Sequence, residues 1–314
     1  MDKLEKTPKI QDTSSTRGGN LEKLILLLQI GIVTLISGLM MSQGKFPSIS
    51  LMALLVFAVF LWRARGRAFL LNFAPFVLLL ATYESLRGMA DTLGLASLHI
   101  TDLIAWERTL FGGNIPSYVV QQALTERPYT GIVDILANTL YMSHFIVPVV
   151  VAVLLWQYHR SRYWPFLLGL TFLSYSGFLT YVFFPAAPPW WATYYGYLPD
   201  QPVYLTHSVI SAENILAGAN PVAAMPSLHT AYPMYVSLFC VFVWGRKALP
   251  IILLPIGVAF SSLYLGHHYV VDILAGVVYA LVSLGVAVWL SRTKLVPEWL
   301  ARAYRNVNTM VSRE

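Results

Sequence analysis

Eight apolar runs of near-membrane-spanning length, separated by short polar loops, limit what this 314-residue chain can become. They fall at about 24–42, 47–62, 68–86, 132–156, 163–184, 228–244, 248–266 and 270–291. A helical span needs roughly 20 apolar residues, with about 17 as the lower bound. A backbone in hydrocarbon must satisfy its own hydrogen bonds, and continuous helices do so. The composition agrees: 57% of the residues are hydrophobic and 11% charged, against roughly 25% charged in soluble domains. The expected fold is an all-α, polytopic membrane protein of about eight transmembrane helices. We find no internal repeat of convincing register.

The cations orient these spans. With the N-terminus inside, Lys3, Lys6, Lys9, Arg17 and Lys23 are cytosolic, followed by Arg63, Arg65 and Arg67, then Arg160 and Arg162, then Arg246 and Lys247. The C-terminal tail adds Arg292, Lys294, Arg302, Arg305 and Arg313. Lys45, Arg87, Arg108 and Arg127 are left outside, the asymmetry expected of positive-inside topology. The net charge of +6 is therefore topogenic and does not indicate a nucleic-acid partner. Both termini are expected in the cytosol of a cell-membrane protein. The single Cys240 excludes an internal disulfide. Residues 1–20 lack the apolar core and cleavage site of a signal peptide and read as a disordered cytosolic tail. Residues 21–131 then carry the first helices, 132–292 a catalytic transmembrane core, and 293–314 a cytosolic tail.

Two outer loops are long. Residues 87–131 hold amphipathic stretches around His99–Leu110 and Ser117–Leu124, parted by Gly112-Gly113-Asn114, which read as short interfacial helices. Residues 185–227 carry no Lys or Arg but many aromatics, including Trp190, Trp191, Tyr194, Tyr195, Tyr197 and Tyr204. Aromatics favour the headgroup layer, so this loop is expected to lie against the membrane as a lid. Its prolines (Pro185, Pro188, Pro189, Pro199, Pro202 and Pro221) argue against a long helix there.

Intramembrane histidine and aspartate are rare and commonly functional. Pro226-Ser227-Leu228-His229 opens the sixth run and His267-His268-Tyr269-Val270-Val271-Asp272 opens the eighth, so both face the outer side. If the last helix begins near His267, His268 and Asp272 share a face. The carboxylate then fixes the tautomer of His268 and frees its other nitrogen as a nucleophile. His229 is placed to give a proton to a departing oxygen. A phosphoryl centre between the rings would pass through a phosphohistidine, released by an alcohol or by water. The competing readings are interhelical hydrogen bonding and a metal site on His229, His267 and His268. Neither cysteine nor ordered histidine spacing supports zinc.

These motifs resemble the type 2 phosphatidic acid phosphatase (PAP2) superfamily. Pro226-Ser227-Leu228-His229 is similar to its second signature, and Ser261 through Asp272 to its third, with Ser262 where that signature has arginine. The first signature has no clear match. The resemblance implies that His268 is the nucleophile, Asp272 its orienting partner and His229 the general acid, with Ser227 on the phosphate. Phe184-Pro185-Ala186-Ala187-Pro188-Pro189-Trp190 and Tyr264-Leu265-Gly266-His267-His268-Tyr269 are similar to the inositol phosphorylceramide synthase branch. That branch implies transfer of a phosphoryl headgroup from a phospholipid to a lipid alcohol with no cofactor and no metal. The alternative is a lipid phosphate phosphatase with water as acceptor. A transporter or an inactive scaffold is disfavoured by the intact His229, His268 and Asp272.

A phosphodiester needs fixed cations or donors. Arg87 is placed for this at the outer end of the third run, or else it pairs with Glu84 and merely fixes the loop. Arg108 and Arg127 read as solvated or headgroup-facing, and Lys45 as a snorkelling anchor. Asp134, Asn138 and Tyr141 form a polar stripe with His144 one turn deeper, lining a headgroup pocket or bonding between helices. Asn138, Tyr141, Tyr264 and His267 are thus candidate substrate contacts with Ser227 and Arg87. His207 and Glu213 are loop residues, either headgroup contacts or solvated, and His99 and His159 are assigned no role. Headgroup, acceptor and oligomeric state are not legible.

Overall fold

A computed structural model describes residues 96–125, 127–128, 130–205, 207–208 and 221–293. The first three predicted spans, Lys45, Glu84, Arg87 and Glu213 lie outside these residues. The described chain is helical, with only isolated backbone bridges pairing His99 with Ala186 and Ala186 with Ala223. Its helices are α1 (Thr101–Leu110), α2 (Pro116–Leu124), α3 (Thr130–Tyr158), α4 (Arg160–Phe183), α5 (Pro189–Tyr194), α6 (Leu228–Trp244), α7 (Leu253–Tyr264) and α8 (Val270–Arg292), with a 3-10 segment at Gly245–Ile252.

Among the described residues, four helical stretches are long and apolar enough to cross a membrane: Thr130–Tyr158, Arg160–Phe183, Leu228–Tyr264 and Val270–Arg292. The 37-residue third stretch is not one rod. Gly245 ends α6 at φ 66°, a left-handed conformation that glycine adopts without penalty. The chain reverses there, and Ser237 on α6 donates to the Ile251 carbonyl at 3.0 Å. Pro250 lies inside the 3-10 segment, so regular α-helix resumes only at Leu253. The hairpin brings the start of α6 and the end of α7 to the same end of the bundle.

Helix α6 is central, packing on α3, α4, α7 and α8. Helix α8 meets α4 and α6 with small buried side chains at Gly276, Ala280, Ser283 and Ala287, which let backbones approach without a loss of packing. The approach is closest at Gly276, where an added Cβ would lie 2.4 Å from the Ser227 carbonyl oxygen. Tyrosine hydroxyls stitch the remaining contacts. Tyr235 bonds the Phe166 carbonyl, Tyr181 that of Pro226, and Tyr279 the Thr180 hydroxyl.

The outer loops form a second layer on the end of the bundle that carries the histidines. The amphipathic stretches of the first loop are α1 and α2, and Pro116 starts α2 at a position where proline needs no hydrogen bond. Among its described residues, the proline-rich second loop contains the six-residue α5. Its core with α1 includes Leu103, Ile115, Leu198, Val203 and Tyr269. Trp190 donates its backbone N–H to Gly266, and Gln121 of α2 reaches both the Tyr204 and Tyr264 carbonyls. Arg108 grips both carboxylate oxygens of Asp200, and that bond holds the exposed Asp200 carboxyl below its usual range.

Candidate active site

Helix termini and tight turns present the candidate side chains. Ser227 caps α6, its hydroxyl oxygen lying 3.4 Å from the Thr230 amide, and so places His229 in the first turn. The turn before α8 depends on Gly266, at φ 79°, where a Cβ would crowd the Tyr204 carbonyl at 2.9 Å. His267 and His268 follow directly. Helix α8 begins at Val270, later than the sequence suggests, so His268 and Asp272 do not stack on one helical face. His268 sits in the turn, and Asp272 folds back toward it from the first helical turn, also accepting the Tyr269 amide at 2.8 Å. The two signatures are joined at the backbone, where the Ser227 amide donates to the Asp272 carbonyl at 2.9 Å.

The result is a line of groups. Asp272 Oδ2 lies 3.5 Å from His268 Nδ1, at ion-pair distance rather than as a formed hydrogen bond. His268 Nε2 lies 2.8 Å from His229 Nδ1. His229 Nε2 lies 2.7 Å from the Tyr141 hydroxyl. His268 and Asp272 are both buried. Neither His268 Nδ1 nor Asp272 Oδ1 has a hydrogen-bond partner, an unusual state for buried polar atoms. Tyr141 stacks on both His229 and His267, and the buried His144 meets His229 edge-on with ring centroids 4.4 Å apart.

The other candidates divide around this line. His267 stacks beside it and bonds the Ser208 hydroxyl at 3.1 Å. Burial, followed by the neighbouring His268 and His144, pushes His267 down to about 3, so it stays neutral at physiological pH. Ser227 is buried in the α6 cap. Asn138 and Tyr264 bond instead around Asp134, which lies about two helical turns along α3 from Tyr141. Tyr264 donates to Asp134 Oδ1 at 2.5 Å, and His207 Nδ1 lies 3.0 Å from the same oxygen. Asn138 donates to the Asp134 and His207 carbonyls, and His207 Nε2 meets the Thr125 hydroxyl. Arg127 is exposed. His99 pairs with Asp102, and His159 packs edge-on against Trp244. Among the described residues no group of three His, Cys, Asp or Glu side chains is arranged to hold a metal ion.

One residue escaped the sequence reading. Glu107 on α1 is fully buried, and its two oxygens accept the Val270 and Val271 amides at 2.9 and 3.2 Å. The signal was present, because Glu107 shares the buried face of α1 with Leu103 and Ile104. An acid on the apolar face of an amphipathic helix calls for a partner.

The chain matches the PAP2 superfamily over residues 101–286. It is 26% identical to the phosphoinositol dihydroceramide synthase of Bacteroides thetaiotaomicron over 258 residues, which cover 74% of this chain and 81% of that protein. It is 28% identical to the inositol phosphorylceramide synthase of Candida albicans over 197 residues, 57% of this chain and 40% of the relative. Identity to the inositol phosphorylceramide synthase catalytic subunit of Schizosaccharomyces pombe is 26%, covering 56% and 44% of the two chains. The chain thus spans less than half the length of these fungal relatives. No solved structure matches. With both histidine signatures on one end of a helical bundle and this match over more than half its length, the chain belongs to the PAP2 superfamily, in its inositol phosphorylceramide synthase-like branch, and is a membrane enzyme of lipid phosphate esters.

Proposed function

We propose that this enzyme moves a phosphoryl headgroup from a phospholipid to a lipid alcohol through a phosphohistidine on His268. The observation that carries the reading is the line from Asp272 through His268 to His229, with 2.8 Å between the facing ring nitrogens. His268 Nε2 attacks phosphorus, and the bond to the lipid oxygen breaks. His229 Nδ1 protonates that oxygen as it leaves. The acceptor alcohol then gives its proton to His229 and attacks phosphorus, and the P–N bond breaks to restore His268. Asp272 faces the opposite nitrogen of His268 and favours the positive ring that forms during attack.

The contact between His229 and His268 also defines a required motion. A nucleophile attacks from about 3–3.5 Å, and the leaving oxygen needs its own hydrogen bond to His229. Phosphorus therefore enters only by parting the two rings, with substrate oxygens replacing the bond between them. Tyr141 suits this step, because His229 keeps its Nε2–H when Nδ1 gives up its proton and goes on donating to the Tyr141 hydroxyl. It holds His229 in both states.

The names of the relatives suggest phosphoinositol as the headgroup and a ceramide-type alcohol as acceptor. The positive-inside pattern of the cations supports a reaction at the extracytoplasmic face. Incubation with phosphatidylinositol labelled in its inositol, with and without ceramide, tests the reading. A labelled phosphoryl-ceramide formed only when ceramide is present supports it. Release of water-soluble inositol phosphate regardless of ceramide replaces it with hydrolysis. Labelled product from His268→Ala overturns the covalent route.

A further inference from the structure

We infer that Glu107 is a positioning residue for catalysis, an ionisable clamp carried by interfacial helix α1 that sets the first turn of α8 and, through it, Asp272 and His268. The inference rests on the phosphotransfer reading above and adds a control that neither histidine signature contains.

The first amides of any helix lack intrahelical acceptors. In α8, two of them, Val270 and Val271, are taken by the two carboxylate oxygens of Glu107, which lies more than 160 positions earlier in the chain. Asp272 is the next residue, and its own carboxylate accepts the Tyr269 amide. Two carboxylates thus share one helix terminus. Glu107 holds the outer side of that turn, while Asp272 faces His268. A displacement of the turn changes the 3.5 Å separation between Asp272 and His268 directly.

The clamp needs a charge. An ionised carboxylate offers acceptors at both oxygens, whereas a protonated one turns an O–H toward a backbone N–H. Burial, opposed by the two amide bonds and reinforced by Asp272, pushes Glu107 up to about 7. The groups facing it are Asp272 from α8, whose charge also raises Glu107, and the neutral Tyr269 hydroxyl from the preceding turn, itself raised by burial and by both carboxylates. Arg108, next on α1, is engaged by Asp200. A carboxyl raised in the folded state stabilises the fold fully below its unfolded value near 4.5, and that stability is lost as pH rises toward 7. The ionised clamp therefore destabilises the fold while it aligns the site, a local conflict typical of functional positions.

The test compares wild type, Glu107→Gln and His268→Ala on labelled phosphatidylinositol and ceramide from pH 5.5 to 8.5. Glutamine keeps the size but points an NH2 at one amide, as the protonated acid points its O–H. The ratio of wild-type to Glu107→Gln kcat is expected near one at the acid end, climbing through pH 7 to about tenfold or more. Taking the ratio cancels the titrations of His229 and His268. A constant ratio at every pH overturns the inference. Activity in His268→Ala overturns the phosphotransfer reading instead. If Glu107→Gln does not fold, hydrogen exchange of wild type decides. Protection of the peptide spanning residues 268–273 relative to one from the middle of α8, corrected for intrinsic chemistry, rises through pH 7 if the clamp titrates. Unchanged protection overturns it.

Discussion

Of the histidine–carboxylate pairs among the described residues, His207–Asp134 and His268–Asp272 lie at the same end of the bundle and are finished differently. In the outer pair, Asp134 and His207 are closed on themselves. Asp134 Oδ1 also takes the Tyr264 hydroxyl, and His207 also meets the Thr125 hydroxyl and stacks on Tyr264. In the inner pair, His268 Nδ1 and Asp272 Oδ1 have no hydrogen bond, and His268 Nε2 is held by a group that must move aside. An unsatisfied buried polar atom costs about 1–3 kcal/mol. The outer pair spares the fold that cost and clasps the aromatic loop to α3. The inner pair bears it and keeps a nitrogen available for bond formation. The same two residue types close on themselves in one place and are left partly unsatisfied in the other, and the difference lies in what surrounds them.

Substitutions test this contrast. The largest effect is expected for His268→Ala, which should lower turnover by at least about 10⁴-fold, measured as labelled phosphoryl-lipid. Turnover near wild type would erase the distinction between the pairs. Asp272→Asn should cost about 10³-fold with thermal stability retained, because the amide no longer favours the positive ring. His229→Ala should penalise donors with a poor leaving group far more than activated aryl esters, and equal loss on both would remove its acid role. Tyr141→Phe should lower kcat about tenfold with little change in KM, since His229 loses its orienting bond and not a substrate contact. The smallest catalytic change belongs to the outer pair. His207→Ala should lower stability by about 1 kcal/mol and leave kcat within about threefold, as expected of a group remote from the reacting atoms. A collapse of kcat there would merge the two clusters into one site.

Several features were legible because they are local. The amphipathic stretches ending at Leu110 and Leu124 became α1 and α2, and within the described part of the proline-rich loop the helix α5 is six residues long. The runs at 228–244 and 248–266 resolved into a hairpin at Gly245, since glycine and Pro250 announce a reversal by their backbone limits. The position of the last helix start was not legible. Both His268 and Val270 suit an apolar helix, and only the Glu107 and Asp272 carboxylates, bonded to the amides of Tyr269, Val270 and Val271, mark where it begins. Tyr141 was read as a pocket residue from its stripe with Asp134 and Asn138. Its bond to His229, 88 positions away, depends on how α3 crosses α6.

The sequence by itself determined an all-α membrane protein and the residues of the candidate site, because hydropathy, helix signals and short histidine signatures are written within a few turns of chain. Tertiary structure alone decided the partners: Tyr141 for His229, Glu107 for the start of α8, and His207 rather than a substrate group for Asp134. Those partners meet across helices, where burial and packing govern which polar groups find each other, and no local pattern encodes a distance between two helices.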